Sequence, residues 1–278
     1  MKTTSDSAEL SIVVTGGHSG IGLELTRRLA AAGHRIGLIV RSRSRIDALG
    51  ADLRERVTIW EADLGVQAQV VRVAEQIIEQ WGRVDVLFNN AGVLLGELRK
   101  SAQNNEMHLE INALAAYLLT RSLKPALDAA DHPTVVNTAT ATMHSRALDL
   151  DAFVDPKYAG KLGGAYMQSK VVLTQLMNDL ARAPGWERVQ IRNVDPGPNR
   201  TSMTTNSGMP GWLLPLVAKF LFPKPARGAN FVYQAAFAPE HRDASGVYLS
   251  GNRVKPMKHQ IEPAQKEALL ARYEVPLP

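Results

Sequence analysis

Short runs of Val, Ile and Leu alternate along the chain with longer stretches whose apolar residues recur at helical spacing. Residues 11–14, 35–40, 57–60, 84–88, 134–137 and 189–192 read as strands. They show little polar alternation, the mark of strands covered on both faces in a parallel sheet. Residues 20–32, 65–81, 104–130 and 164–183 predict helices, free of internal proline apart from Pro125 late in the third. Strand and helix in strict alternation predict an α/β fold of the Rossmann type. This is a doubly wound parallel sheet in three α/β/α layers, closed by right-handed crossovers as a single domain. No repeat or linker divides it. Residues 141–163 and 196–228 lack periodicity and follow strands. Open sheets gather ligand loops at that end, so both stretches are expected to wall a site.

Composition narrows the chemistry. With 278 residues, 45% of them apolar, the chain can bury an ordinary globular core, which excludes disorder and collagen-like repeats. It has no cysteine, which removes disulfides, thiolate nucleophiles and Cys-based metal sites. The seven histidines, His18, His34, His108, His132, His144, His241 and His259, show no ligand spacing, so no metal is expected. The net charge of +5 admits anionic partners. Because no basic stripe is interleaved with aromatics, nucleic acid is not among those expected. Residues 1–10 are polar and carry both charge signs, which predicts a cytoplasmic start. The apolar stretch 210–222 is too short to span a membrane and contains Lys219. A lid over an apolar substrate, within 198–227, is the preferred reading. An oligomer or membrane-surface contact and a plain core segment stay open.

The candidate site begins at the first strand–helix junction. Gly16, His18, Ser19, Gly20, Ile21 and Gly22 form a glycine-rich turn that opens a helix directly. Glycines there allow close backbone approach, so the helix N-terminus can receive a pyrophosphate; a plain tight turn is the alternative. The second predicted strand ends in Arg41-Ser42-Arg43-Ser44-Arg45, where arginine favours the 2′-phosphate of NADP over the ribose hydroxyl of NAD. Arg41 is the residue expected to make contact, while Arg45 and Arg43 also fit a solvated helix start. His18 fits either an approach to the same phosphate or an ordinary turn position. Tyr166 and Lys170 lie four apart on a predicted helix and therefore share a face. A tyrosine acting as acid and base near neutrality needs a shift of about three pKa units, toward which Lys170 contributes positive charge. Asn112, inside a helical pattern, is a poor helix former and calls for a reason.

Taken in order, these motifs resemble the short-chain dehydrogenase/reductase superfamily over residues 10–256. Thr15-Gly16-x-x-x-Gly20-x-Gly22 resembles its cofactor turn, Asp63-Leu64 its adenine-contacting pair, and Asn89-Asn90-Ala91-Gly92 the motif closing its fourth strand. Asn112 stands where the family has a proton-relay asparagine that distorts its helix. Tyr166 and Lys170 match the catalytic pair, and Pro196-Gly197 with Thr201 the nicotinamide-binding segment. The family's active-site serine aligns with Thr140, which keeps the hydroxyl and adds a methyl group; Thr138, Thr142 and Ser145 lie near enough to replace it. Residues 165–170 and 245–248, and the long gap from Thr140 to Tyr166, resemble the branch of retinol dehydrogenases and protochlorophyllide reductases. The resemblance implies an NADP(H)-dependent oxidoreductase interconverting an alcohol and a carbonyl on a lipophilic small molecule, with a homodimer or homotetramer as the family habit. Reduction of a C=C or C=N bond, and an NADPH-binding sensor or scaffold that catalyses little, are the rivals.

Overall fold

The computed structural model describes residues 9–140, 147–158, 164–197, 224–257 and 260–272. One eight-stranded sheet runs through it in the order β3-β2-β1-β4-β5-β6-β7-β8. The strands are β1 Ser11–Thr15, β2 Arg35–Val40, β3 Val57–Glu61, β4 Val86–Asn89, β5 Thr134–Thr138, β6 Gln190–Asp195, β7 Val247–Ser250 and β8 Arg253–Lys255. All neighbours pair in parallel except β7 and β8. The order reverses between β1 and β4, and ligands of open α/β sheets bind in the crevice beyond such a switch point.

Helices cover both faces, as the uninterrupted apolar strands require. On one face α1 Gly20–Ala31 and α8 Pro225–Phe237 pack Leu25, Leu29, Ala229 and Val232 against Ile12, Val14 and Phe88. On the other, α3 Gln67–Trp81, α5 Ala115–Ser122 and α7 Ala165–Leu180 bury Val70, Ile77, Leu118 and Val172 against Val13, Leu87 and Val135. Smaller helices are α2 Ala51–Glu55, α4 Met107–Leu109, α6 Lys124–Asp128 and α9 Pro263–Leu270.

Three differences from the sequence expectation have physical reasons. The helix expected over 104–130 starts late and is broken. Asn104 sits at φ 58°, and Glu106 caps the first turn from outside. A π-helical turn, Glu110–Leu114, separates α4 from α5, and Pro125 in the first turn of α6 forces a new start after Leu123. Strand β6 runs on to Asp195 although its sequence turns polar; Asn193 Nδ2 donates to Asn178 Oδ1 at 2.8 Å, and Arg192 is bound on every side. Arg192, 1% exposed, donates from Nε to the carbonyl of Ala244 at 2.7 Å. Its other guanidinium nitrogens reach the carbonyls of Ala235 (2.9 Å), Ala236 (3.4 Å) and Arg242 (2.8 Å). Edge strand β8, antiparallel and short, carries no apolar run that would have announced it.

Candidate active site

Two neighbouring constructions meet over the carboxyl ends of the strands. The first is the glycine turn. Gly16 has φ +66°, a left-handed backbone that favours glycine, and its N–H donates to Ile39 O at 3.0 Å. A Cβ on Gly22 would lie 2.3 Å from Gly16 O and 2.6 Å from Asn90 Nδ2, so the turn closes only around a bare backbone. Thr15 Oγ1 accepts from the N–H groups of Asn90 (3.0 Å) and Ala91 (2.9 Å), and Asn90 Nδ2 returns a bond to Thr15 O at 3.1 Å. These bonds lash the motif after β4 to the turn after β1. Ser19 occupies the N-cap of α1 without a side-chain capping bond, and the first turn, with Gly20 and Ile21, carries no acid. Its backbone donors therefore lack the side-chain acceptor that usually satisfies them.

At the phosphate end of this turn the sequence expectation is corrected in part. Arg43 is spent on structure: its backbone N–H donates to Glu61 Oε2 and its guanidinium to Ile59 O, both at 2.9 Å. Arg45 is exposed, as expected, and its charge acts on His18 together with that of Arg41. Burial first, then Arg45, then Arg41, hold the His18 imidazole below its usual range and hence neutral. His18 Nδ1 is buried without a hydrogen-bond partner. Asp63 Oδ1, expected near an adenine, accepts from Gly65 N–H at 2.8 Å, and the Asp63 N–H donates to Gln69 Oε1 at 2.8 Å. Leu64 packs against the core.

The second construction is a buried polar cluster. Asn112 lies within the π turn, 1% exposed. Its Oδ1 accepts from Val93 N–H at 2.7 Å, and its Nδ2 donates to Val93 O and to Ser169 Oγ, each at 3.0 Å. Lys170, one residue on along α7 and 3% exposed, donates from Nζ to Thr138 O at 2.8 Å. Gly92 seats the two together: a Cβ there would stand 3.1 Å from Asn112 Oδ1 and 3.5 Å from Lys170 Nζ. Burial brings the Lys170 ammonium down to about 8. Tyr166 opens α7 one turn earlier, and burial, helped by the charge of Asp195, pushes its phenol up to about 12. The downward shift expected from Lys170 does not appear in the chain alone, where burial and then Asp195 both raise the phenol.

Thr140 follows the end of β5, half-buried, with its carbonyl accepting from Tyr248 OH at 3.0 Å. The Thr138 hydroxyl is buried and has no partner. Pro196 is buried, and Gly197 turns the chain at φ +73° with its N–H on Asp195 Oδ1 at 2.9 Å. Thr201, Thr142, Ser145 and the apolar stretch 210–222 lie outside the described residues. Sequence reasoning missed Asp195, which charges the site, and the buried pair Glu106 and His108 beside Tyr166. Asp195 stands two residues before Gly197 at a strand's end, a signal that was there to be weighed.

A glycine turn at the switch point of a parallel sheet, abutting a tyrosine–lysine pair on one helix, defines the class as a Rossmann-type oxidoreductase fold. The family model for short chain dehydrogenases matches residues 11–210. The chain belongs to that oxidoreductase family. Human retinol dehydrogenase 13 is 29% identical over 257 residues, covering 88% of this chain and 77% of the relative. A short chain dehydrogenase/reductase of Colletotrichum higginsianum is 34% identical over 294 residues, covering 94% and 71%. The Pseudomonas aeruginosa RhlG/NADP active-site complex superposes with a TM-score of 0.69 at 22% identity, covering 88% of this chain and 95% of the other. Among the described residues no helix is long and apolar enough to cross a membrane.

Proposed function

We propose that the chain is an NADP(H)-dependent oxidoreductase that interconverts an alcohol and a carbonyl on a lipophilic small molecule, with Tyr166 as the acid–base residue. One observation carries this reading: Asn112 Oδ1 and Lys170 Nζ converge on the Cβ side of Gly92, in the motif bonded to the glycine turn, with Lys170 one helical turn along α7 from Tyr166. The chain's own residues fit the cofactor. The uncapped start of α1 offers donors to a pyrophosphate, and the unpartnered His18 Nδ1 beside Arg41 and Arg45 suits a 2′-phosphate. Asn90, Ala91 and Gly92, with Pro196 and Gly197, would border the nicotinamide, and Thr201 and Asp63-Leu64 complete the contacts expected from the family resemblance. When bound, NADP(H) supplies or accepts the hydride.

The protein supplies the proton. With its pKa near 12, Tyr166 is a neutral phenol at pH 7, ready to protonate a forming alkoxide in the reductive direction. In oxidation the same phenol must first lose that proton; burial and Asp195 work against it, while positive charge from Lys170 and the oxidised cofactor would favour the phenolate. The Thr140 hydroxyl orients the reacting oxygen, and Asn112 holds the carbonyl of Val93 and the hydroxyl of Ser169 in line with Lys170. The retinol dehydrogenase relatives and the apolar character of 210–222 support a lipophilic substrate. Tyr166→Phe should lower turnover of carbonyl substrates by about a thousandfold or more while NADPH affinity stays within about twofold. Turnover near wild type in that variant would refute the mechanism.

A further inference from the structure

The segment after β4 is fastened to one helix face at two points, and only the first belongs to the machinery described above. Asn112 holds both the N–H and the carbonyl of Val93. Two residues on, Leu95 N–H donates to His108 Nε2 at 2.8 Å. His108 stands four residues before Asn112, on the α4 side of the π turn. Each anchor also touches α7: Asn112 through Ser169 Oγ, and His108 through its ring, which meets Tyr166 edge-on at 6.4 Å between centroids and 76°.

The tautomer of His108 follows from its partners. Nε2 accepts from Leu95, so the proton sits on Nδ1 and is donated to Glu106 Oε1 at 2.8 Å. Glu106 is itself pinned, its Oε2 accepting from the backbone N–H groups of His108 (2.8 Å) and Leu109 (3.2 Å). Both side chains are deeply buried, Glu106 1% and His108 2% exposed. An imidazole with both nitrogens engaged has no proton to exchange with substrate, which excludes acid–base duty. Filling this space with leucine would spare the desolvation of a carboxylate and an imidazole, so the polar pair is explained by what it holds.

We propose that His108, aligned by Glu106, is a positioning residue: it fixes the loop at Leu95 and sets the orientation of the Tyr166 ring. The inference rests on reading Tyr166 as the acid–base residue and deepens it. The test compares His108→Leu, which removes the acceptor and the aromatic edge, with His108→Gln, which keeps an acceptor toward Leu95. In unliganded protein, His108→Leu should deprotect the Leu95 amide in hydrogen–deuterium exchange and shift the 19F resonance of 3-fluorotyrosine placed at position 166. In the loaded enzyme kcat should fall about tenfold or more with KM for NADPH nearly unchanged. The primary isotope effect from 4-deuterated NADPH should grow, which a loss of folded protein would not produce. His108→Gln should recover Leu95 protection and most of kcat. An unchanged Leu95 amide and 19F line in His108→Leu, a kcat unaffected by the release of Leu95, or a Gln variant no better than the Leu variant would overturn the proposal. Failure of the functional reading is distinguishable, because it shows in Tyr166→Phe turnover, whereas the exchange and 19F measurements judge His108 without any substrate.

Discussion

The two halves of the site are made of different material. Around β1 the shape is set by close backbone packing, with Gly22 against Gly16 O, and by the short Thr15 hydroxyl accepting from the amides of Asn90 and Ala91 after β4. Between β4 and β6 it is set by buried polar side chains that hold one another at a distance in sequence, such as Asn112 with Val93 and Ser169. In the first, a Cβ on Gly22 would meet backbone at 2.3 Å; in the second, a Cβ on Gly92 would meet side-chain atoms at 3.1 Å and beyond.

Three sets of substitutions sharpen that contrast, in order of expected effect. Gly22→Ala puts a methyl group inside the closed turn and should remove about 3 kcal/mol of stability, together with most of the NADPH affinity. Calorimetry and NADPH fluorescence titration check it; an alanine variant that binds normally would show that the turn has slack. In the polar half, Lys170→Met should reveal the strain of a buried ammonium through its pH dependence. The folded pKa near 8 lies below the ordinary 10.5, so between those values the unfolded chain holds a proton that the folded chain does not. Wild-type stability should therefore rise relative to Lys170→Met by about 2 kcal/mol between pH 8 and 10. Tyr166, whose pKa is raised from 10.0, begins to act in the opposite sense only above that window. Urea unfolding at several pH values measures the difference, and parallel curves would contradict it. The smallest effect belongs to the rim. Arg41→Ala and Arg45→Ala should each weaken NADPH about tenfold while leaving NADH nearly unchanged. Arg43→Ala should not discriminate between the cofactors, since its guanidinium is already bound to Ile59 O.

How far the sequence speaks differs in the same way. The glycine turn, the alternation of strands and helices as far as β6, and the placing of Tyr166 and Lys170 on one helix were legible, because local pattern and steric need decide them; β7, β8 and the helices after Gly197 were not. Asn112 advertised itself by being a poor helix former, and the π turn it occupies answers that anomaly. The split among three adjacent arginines was not legible. Arg43 turns away because Glu61 and Ile59 of β3 lie beside it, which depends on a strand pair far along the chain. Glu106 drew no notice and His108 was weighed only as a metal ligand, since their meaning lies in Leu95 and Tyr166 across space. The direction of the Tyr166 shift escaped as well, because desolvation is a property of the assembled site.

Arg192 ties the carbonyls of 235, 236, 242 and 244 to the middle of β6, and Gly197 closes on Asp195 at the end of that strand. Helix α8 is in turn moored to α1, with the Arg28 guanidinium 4.1 Å from the centre of the Tyr233 ring. The chain thus leaves β6 after Gly197 and re-enters the described fold at Lys224, the N-cap of α8, between two anchored ends. Doubling the length of a flexible connection between fixed ends costs about 0.6 kcal/mol in loop-closure entropy. Insertions beyond Thr201 in that connection should therefore cost the fold little, and a thermal-unfolding series across such insertions measures that cost.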